Sequence, residues 1–207
     1  MSRPAVFLDR DGVLVEEVFN RQTGERDAPL CADDVKLLDG AASALKRIAQ
    51  LGFASVLISN QAGYAKGKAT LRALWTTHEQ FIALLSADGA KLDAVFYAWG
   101  HPDGVVPHFS GPSLDRKPGP YNIFVAEAQL DLDLPRSWLV GDQLTDVACA
   151  QAAGVRPILI DNQHKPRIIT SSALRAPNLL AAVQHIASTM NCSSEAHRAK
   201  PHKQPRY

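Results

Sequence analysis

The stretch AVFLDRDGVLVEE, Ala5 to Glu17, runs four apolar residues directly into Asp9, Arg10 and Asp11. Asp and Gly are ordinary turn residues, so taken alone this is a strand running out into a solvated loop. What surrounds it changes the reading. Further short apolar segments follow at FASVLIS (53–59), AVFYA (94–98), SWLVG (137–141) and VRPILI (155–160). Between them lie GAASALKRIAQLG (40–52), LRALWTTHEQFIALLSADG (71–89), PYNIFVAEAQLDL (120–132) and TDVACAQAAG (145–154), with apolar residues near helical spacing and several stops at Gly. Strands alternating with helices require parallel pairing, and near-continuous apolar strands require a sheet covered on both faces. The pattern predicts a doubly wound α/β domain over residues 1–190.

The bulk numbers agree with a single domain. A chain of 207 residues, 46% hydrophobic and 21% charged, has the composition of an ordinary globular protein and can bury a core without staples. No apolar run is long enough to span a bilayer, so no membrane partner is expected. Cys31, Cys149 and Cys192 are scattered and odd in number, which suits a reducing compartment and predicts a cytoplasmic protein. The chain carries 22 Lys/Arg and 21 Asp/Glu; four of the former and one of the latter fall in residues 191–207, leaving 18 basic and 20 acidic residues in the body. A slightly acidic body argues against a nucleic-acid footprint. The segment 191–207 contains Pro201 and Pro205 and lacks apolar periodicity, so it is expected to be a basic, disordered tail.

In an open α/β sheet, ligands bind beyond the carboxyl ends of the strands, near the reversal of strand order. The first predicted strand ends at Asp9, Arg10 and Asp11, the second at Ser59, Asn60 and Gln61 ahead of AGYAKGKA (62–69). The third leads through a long loop to Asp115, Arg116, Lys117 and Pro118, and the fourth ends at Gly141 and Asp142, with Asp146 four residues on. If Asp9 and Asp142 approach to about 4 Å, their repulsion is about 4 kcal/mol at an effective dielectric near 20, so the cluster needs a cation or a proton. Oxygen ligands without His or Cys favour Mg²⁺. A hydroxyl and a lysine nearby suit a phosphoryl group, with Ser59 donating hydrogen bonds and Lys117 offsetting charge. The nucleophile is then either water or a protein carboxylate. Asp9 can attack phosphorus, and Asp11 can protonate the leaving oxygen and later deprotonate water.

The segments FLDRDGVL, ISNQAGYAKGK, DRKPGP and VGDQLTD resemble, in order, the four motifs of haloacid dehalogenase (HAD) superfamily phosphatases, in the branch of histidinol phosphatases and heptose-bisphosphate phosphatases. The resemblance covers residues 5 to 160. It implies a HAD-like Rossmannoid fold and a Mg²⁺-dependent phosphomonoesterase working through an aspartyl-phosphate. Asp9 would be nucleophile and Asp11 acid and base; Ser59 and Asn60 would contact phosphate, Arg116 would recognise substrate, and Lys117 would stabilise the phosphoryl group. Magnesium would be held by Asp9, the main-chain carbonyl of Asp11, and Asp142, while Asp146 would orient Lys117. The expected substrate is a small phosphorylated metabolite, a sugar phosphate of the heptose-bisphosphate type ahead of histidinol phosphate, and the expected state is a monomer.

Two departures matter. Val13 and Val15 replace polar residues of the first motif, which puts substrate contacts near residues 17–20 in question. Many relatives fix a loop with zinc through Cys and His; the matching positions are Ala98, Gly100, Ser113 and Asp115, so no zinc is expected. Spacing leaves no room for a large cap, and the segment after Asp11 together with the loop Trp99 to Asp115 is expected to face the leaving group. His101 and His108 in that loop read as solvated. The turn 63–67 is one residue short of a P-loop. A rival of another class is a phospho-accepting receiver domain, whose acceptor follows a middle strand, whereas the acid pair here ends the first.

Overall fold

The computed structural model describes residues 2–21, 24–161 and 173–198, with side chains described through residue 190. Strand β1 (Ala5–Leu8) is wholly buried and is followed by a small antiparallel hairpin, β2 (Val18–Phe19) with β3 (Arg26–Asp27). The chain then alternates: α1 (Ala41–Gln50), β4 (Ala54–Asn60), α2 (Leu71–Ala87), β5 (Ala94–Ala98), α3 (Tyr121–Leu130), β6 (Trp138–Gly141), α4 (Leu144–Ala153), β7 (Arg156–Ile160), β8 (Leu174–Ala176) and α5 (Leu179–Arg198). Six strands form one parallel sheet in the order β5-β4-β1-β6-β7-β8. The predicted doubly wound architecture is therefore present.

Side chains alternate across the sheet and feed two cores. Val6 and Leu8 of β1, with Leu57, Val140 and Ile158, pack with α1, α2 and α5; Ala5 and Phe7, with Val56, Ile58 and Leu139, pack with α3 and α4. This two-faced burial is the reason the strands read as continuous apolar runs. Thr70 starts α2 by accepting the Ala73 N–H at 3.1 Å. Among the described residues no segment between these elements forms an inserted cap domain, and no helix is long and apolar enough to cross a membrane.

Four elements, β2, β3, β8 and α5, go beyond the predicted set. The hairpin β2–β3 and the three-residue β8 are too short to carry a periodic signal. Helix α5 does carry one, since buried Leu179, Ala182, Val183 and Ile186 stand at helical spacing. The expected tail boundary at 191 falls inside this helix, which continues to Arg198 because no Gly or Pro interrupts 179–198. Residues 199–207, the rest of the expected tail, lie outside the described residues.

The strand order places the reversal beside β1. The chain moves outward from β1 through β4 to β5, then returns to pair β6 with the other edge of β1. Asp9 and Asp142 follow these two neighbouring strands at their carboxyl ends, where the order of strands leaves a crevice.

Candidate active site

Three carboxylates meet at that crevice. Asp9, Asp142 and Asp146 are buried, each with a ligand atom within 4.8 Å of the others. Two glycines let them converge. A Cβ on Gly12, whose φ of 79° already disfavours other residues, would stand 2.3 Å from Oδ2 of Asp142. A Cβ on Gly141 would lie 2.2 Å from the Asp146 carboxyl carbon. Asp146, in the first turn of α4, accepts the Gln143 N–H at 2.9 Å, so the helix terminus orients it toward the cluster.

Lys117 balances part of this charge. Its Nζ lies 2.9 Å from Asp9 Oδ1 and 2.6 Å from Asp146 Oδ1, with the side chain 4% exposed. Burial works against the ammonium, but Asp146 and Asp9 outweigh it and hold the group protonated well above its ordinary range. The backbone of Lys117 is fixed as well. Asn60 Oδ1 accepts the Lys117 N–H at 3.0 Å and Asn60 Nδ2 donates to the Lys117 carbonyl at 3.1 Å. Asn60, of which a phosphate contact is expected, lines the crevice and clamps the main chain of Lys117 from β4.

Asp11 sits beside the cluster in a different environment. Arg10 Nε donates to its Oδ1 at 2.9 Å and Gln61 Nε2 to its Oδ2 at 2.7 Å. Burial pushes the Asp11 carboxyl above the usual range; Arg10 opposes this and the nearby Asp9 charge adds to it. Asp9 and Asp11, two residues apart, thus differ in partners: Lys117 and the Arg10 N–H at 2.7 Å hold one, Arg10 and Gln61 the other. Ser59, buried at the end of β4, lines the same crevice.

The crevice opens into a cavity of about 360 Å³ lined by Asp9, Asp11, Ser59, Asn60, Lys117 and Asp142 at its floor. Its rim carries Arg26, Lys66, Lys68 and Arg116, with Glu17 and Asp27. All seven predicted site residues therefore reach one cavity. Arg10, Gln61, Arg26, Lys66 and Lys68 were not singled out. Arg10 and Gln61 were visible inside the quoted motifs, but nothing in a linear sequence shows that β1 and β4 bring them together.

The loop between Trp99 and Asp115 is expected to face the leaving group, yet it stands outside the cavity wall. None of its residues lines the cavity; the turn 62–68 and the segment 26–30 do. The loop packs behind that turn: Val105 N and Val106 N donate to Ala65 O at 2.7 and 3.2 Å, and Phe109 meets Tyr64 edge to face at 4.9 Å. His101 N donates to Phe109 O at 3.0 Å, Ser113 Oγ bonds Asp115, and Asn122 Nδ2 donates to Asp115 O at 3.0 Å. Arg116 ties down its near end, donating from Nη1 to Gly100 O at 3.2 Å.

A buried set of hard oxygen donors at a strand-order reversal, with a lysine locked among them, is a site suited to phosphoryl transfer. The HAD-hydrolase-like family model matches residues 114–182. The D-glycero-D-manno-heptose-1,7-bisphosphate 7-phosphatase of Thermosynechococcus vestitus is 36% identical over 199 residues, 91% of this chain and 97% of the relative. The D-glycero-beta-D-manno-heptose-1,7-bisphosphate 7-phosphatase of Escherichia coli K12 is 33% identical, covering 80% and 82%. The crystal structure of D,D-heptose 1,7-bisphosphate phosphatase from B. bronchiseptica, complexed with magnesium and phosphate, superposes with a TM-score of 0.71 at 26% identity, covering 90% of this chain and 99% of that one. This chain belongs to the HAD phosphatases, in the branch that contains the heptose-bisphosphate phosphatases, and is a phosphoric monoester hydrolase.

Proposed function

We propose that this protein is a Mg²⁺-dependent phosphatase of a small sugar bisphosphate of the heptose-1,7-bisphosphate type, with Asp9 as nucleophile. The observation that carries the reading is Lys117 Nζ bridging Asp9 and Asp146 in a crevice that also holds Asp142. The donor set fits magnesium: the carboxylates are hard oxygens, no His or Cys among the described residues joins them, and Gly12 leaves the Asp142 carboxylate its place. Asp9, the Asp11 carbonyl and Asp142 would hold the ion, which when bound neutralises the phosphoryl oxygens.

The chain's own groups then act as follows. Asp9 attacks phosphorus to form an aspartyl-phosphate while Asp11 delivers a proton to the leaving oxygen. Lys117, held by Asn60 and Asp146, pairs with Asp9 at 2.9 Å and faces the transferred group. Ser59 donates a hydrogen bond to a phosphoryl oxygen. Asp11, now a carboxylate, removes a proton from the water that opens the intermediate. The rim's Arg26, Lys66 and Arg116, beside Lys68, which Asp27 pairs at 2.8 Å, suit a second anionic end, which favours a bisphosphate over a simple monoester. The proposed enzyme is a cytoplasmic monomer without nucleic-acid partners, a reading supported by the free thiols of Cys31 and Cys149 and the slightly acidic body.

Phosphate release from a panel of phosphorylated sugars and histidinol phosphate tests the substrate. Heptose 1,7-bisphosphate is expected to give the highest kcat/KM, with loss of one phosphate only. Faster turnover of histidinol phosphate would overturn the substrate assignment, and stoichiometric labelling without turnover would overturn the enzymatic one.

A further inference from the structure

The hydrogen bonds around Gln61 have only one consistent direction. Gln61 follows β4, is 2% exposed, and its main-chain N–H is tied to Ala98 O at 2.8 Å. Arg10, equally buried, places Nη2 2.7 Å from Gln61 Oε1. A guanidinium can only donate, so the Gln61 amide must present its oxygen to Arg10. The opposite amide orientation would set two donors against each other in a buried site. The Gln61 NH₂ group is thereby committed to its other two neighbours, Asp11 Oδ2 at 2.7 Å and Ser59 Oγ at 3.0 Å. It has two hydrogens and two acceptors.

The consequence falls on Ser59. With Gln61 donating to it, the Ser59 oxygen is an acceptor on that side, and its own O–H is left to point elsewhere, into the cavity it lines. The same amide pins Asp11, whose other oxygen is held by Arg10 Nε at 2.9 Å. Arg10 is itself anchored: its guanidinium lies 5.7 Å from the centroid of the Tyr97 ring, and Tyr97 is bonded through its hydroxyl to His78 Nδ1 at 3.0 Å. We infer that Gln61, oriented by Arg10, is a positioning residue that turns the Ser59 hydroxyl proton toward the bound phosphoryl group and holds Asp11 at the leaving-group side. The inference rests on the phosphatase reading above and adds a residue that touches neither phosphate nor metal in it.

The test uses Gln61→Met, which keeps length and removes both donors and the acceptor, Ser59→Ala, and the double variant, each checked by circular dichroism and thermal unfolding. Inorganic phosphate, as a competitive inhibitor in excess Mg²⁺, reads the Ser59 arm. Each single substitution is expected to weaken its inhibition constant about tenfold, the loss of one hydrogen bond to a charged group. The double variant is expected to be no more than about threefold worse than the weaker single, because one hydrogen bond is being removed twice. The Asp11 arm is read from kcat: Gln61→Met should slow a sugar phosphate at least about fivefold more than p-nitrophenyl phosphate, whose leaving group needs little protonation. A folded Gln61→Met with both readouts within twofold of the parent overturns the inference, as does a multiplicative, hundredfold effect in the double variant. If Gln61→Met does not fold, Gln61→Glu serves, since it keeps the Arg10 contact while replacing the donor with an acceptor. Asp9→Asn separates the two levels. Turnover retained there removes the functional reading itself, whereas an inactive Asp9→Asn beside an unaffected Gln61→Met removes only the role of Gln61.

Discussion

Gly12 and Gly141 matter through the side chains they lack, since each leaves space that a carboxylate occupies. Gly12→Ala would add a strained backbone conformation, about 1–2 kcal/mol, to a direct collision with Asp142. The expected result is a folded but less stable protein whose Mg²⁺ requirement rises at least about tenfold, measured as the half-activating concentration; unchanged activation would separate Asp142 from the metal. Asp9→Asn preserves shape but leaves an amide that cannot attack phosphorus. Turnover should fall about a thousandfold or more while thermal unfolding shows an intact fold, and activity within tenfold of the parent would sink the nucleophile assignment. Lys117 loses an ionic partner in that variant but keeps Asp146 at 2.6 Å. This retained pair is why the fold should survive.

At the scale of elements, the loop from Trp99 to Asp115 is held by hydrogen bonds and an aromatic contact of the chain itself. Tyr64 and Phe109 pack edge to face, two amides converge on the Ala65 carbonyl, and Arg116 ties the loop's two ends together by donating to Gly100 O. Each backbone bond contributes about 1 kcal/mol, and an aromatic pair about 0.5–1.5 kcal/mol beyond its buried area, so several together can order a short loop. Purified protein is expected to contain under about 0.2 equivalents of zinc by elemental analysis, because Ser113 and Asp115 with no Cys offer a poor structural site. Stoichiometric zinc lost together with activity would overturn this account. Tyr64→Ala should raise hydrogen-exchange rates at the amides of Val105 and Val106 about tenfold, as one edge-to-face contact is lost. Because the loop lies behind the turn 62–68, the same variant is expected to raise KM more than it lowers kcat.

For the whole molecule, the sheet matters through its strand order. β1 and β6 are neighbours although about 130 residues separate them, and their carboxyl ends bring Asp9 to Asp142. Helix α5 closes one core with Leu179, Ala182, Val183 and Ile186, all before residue 187. Truncation after residue 190 keeps these four. Hydrolysis of p-nitrophenyl phosphate is therefore expected to stay within twofold, with Tm lowered by a few degrees through loss of the helix's last turns. A large fall in kcat/KM would show that the C-terminal segment serves the site.

The linear sequence determined the class of sheet, because burial on both faces forces near-continuous apolar strands and helical periods between them. It also marked Asp9, Asp11 and Asp142, since charge placed just after a buried strand lies at the sheet's rim, while Ser59 and Lys117 were marked by the motifs they stand in. What it left undecided was direction and partnership. Asn60 carries donors and an acceptor that suit phosphate equally well, and only the approach of Lys117 to β4 turned them onto a main chain. Arg10 and Gln61 are 51 residues apart, so their pairing depended on β1 lying beside β4. The loop Trp99 to Asp115 likewise has the length to cover the site, but hydrogen bonds to the turn at Ala65 drew it behind. Composition and periodicity record which groups leave water; which of them meet is decided by long-range strand pairing, a term no local window contains.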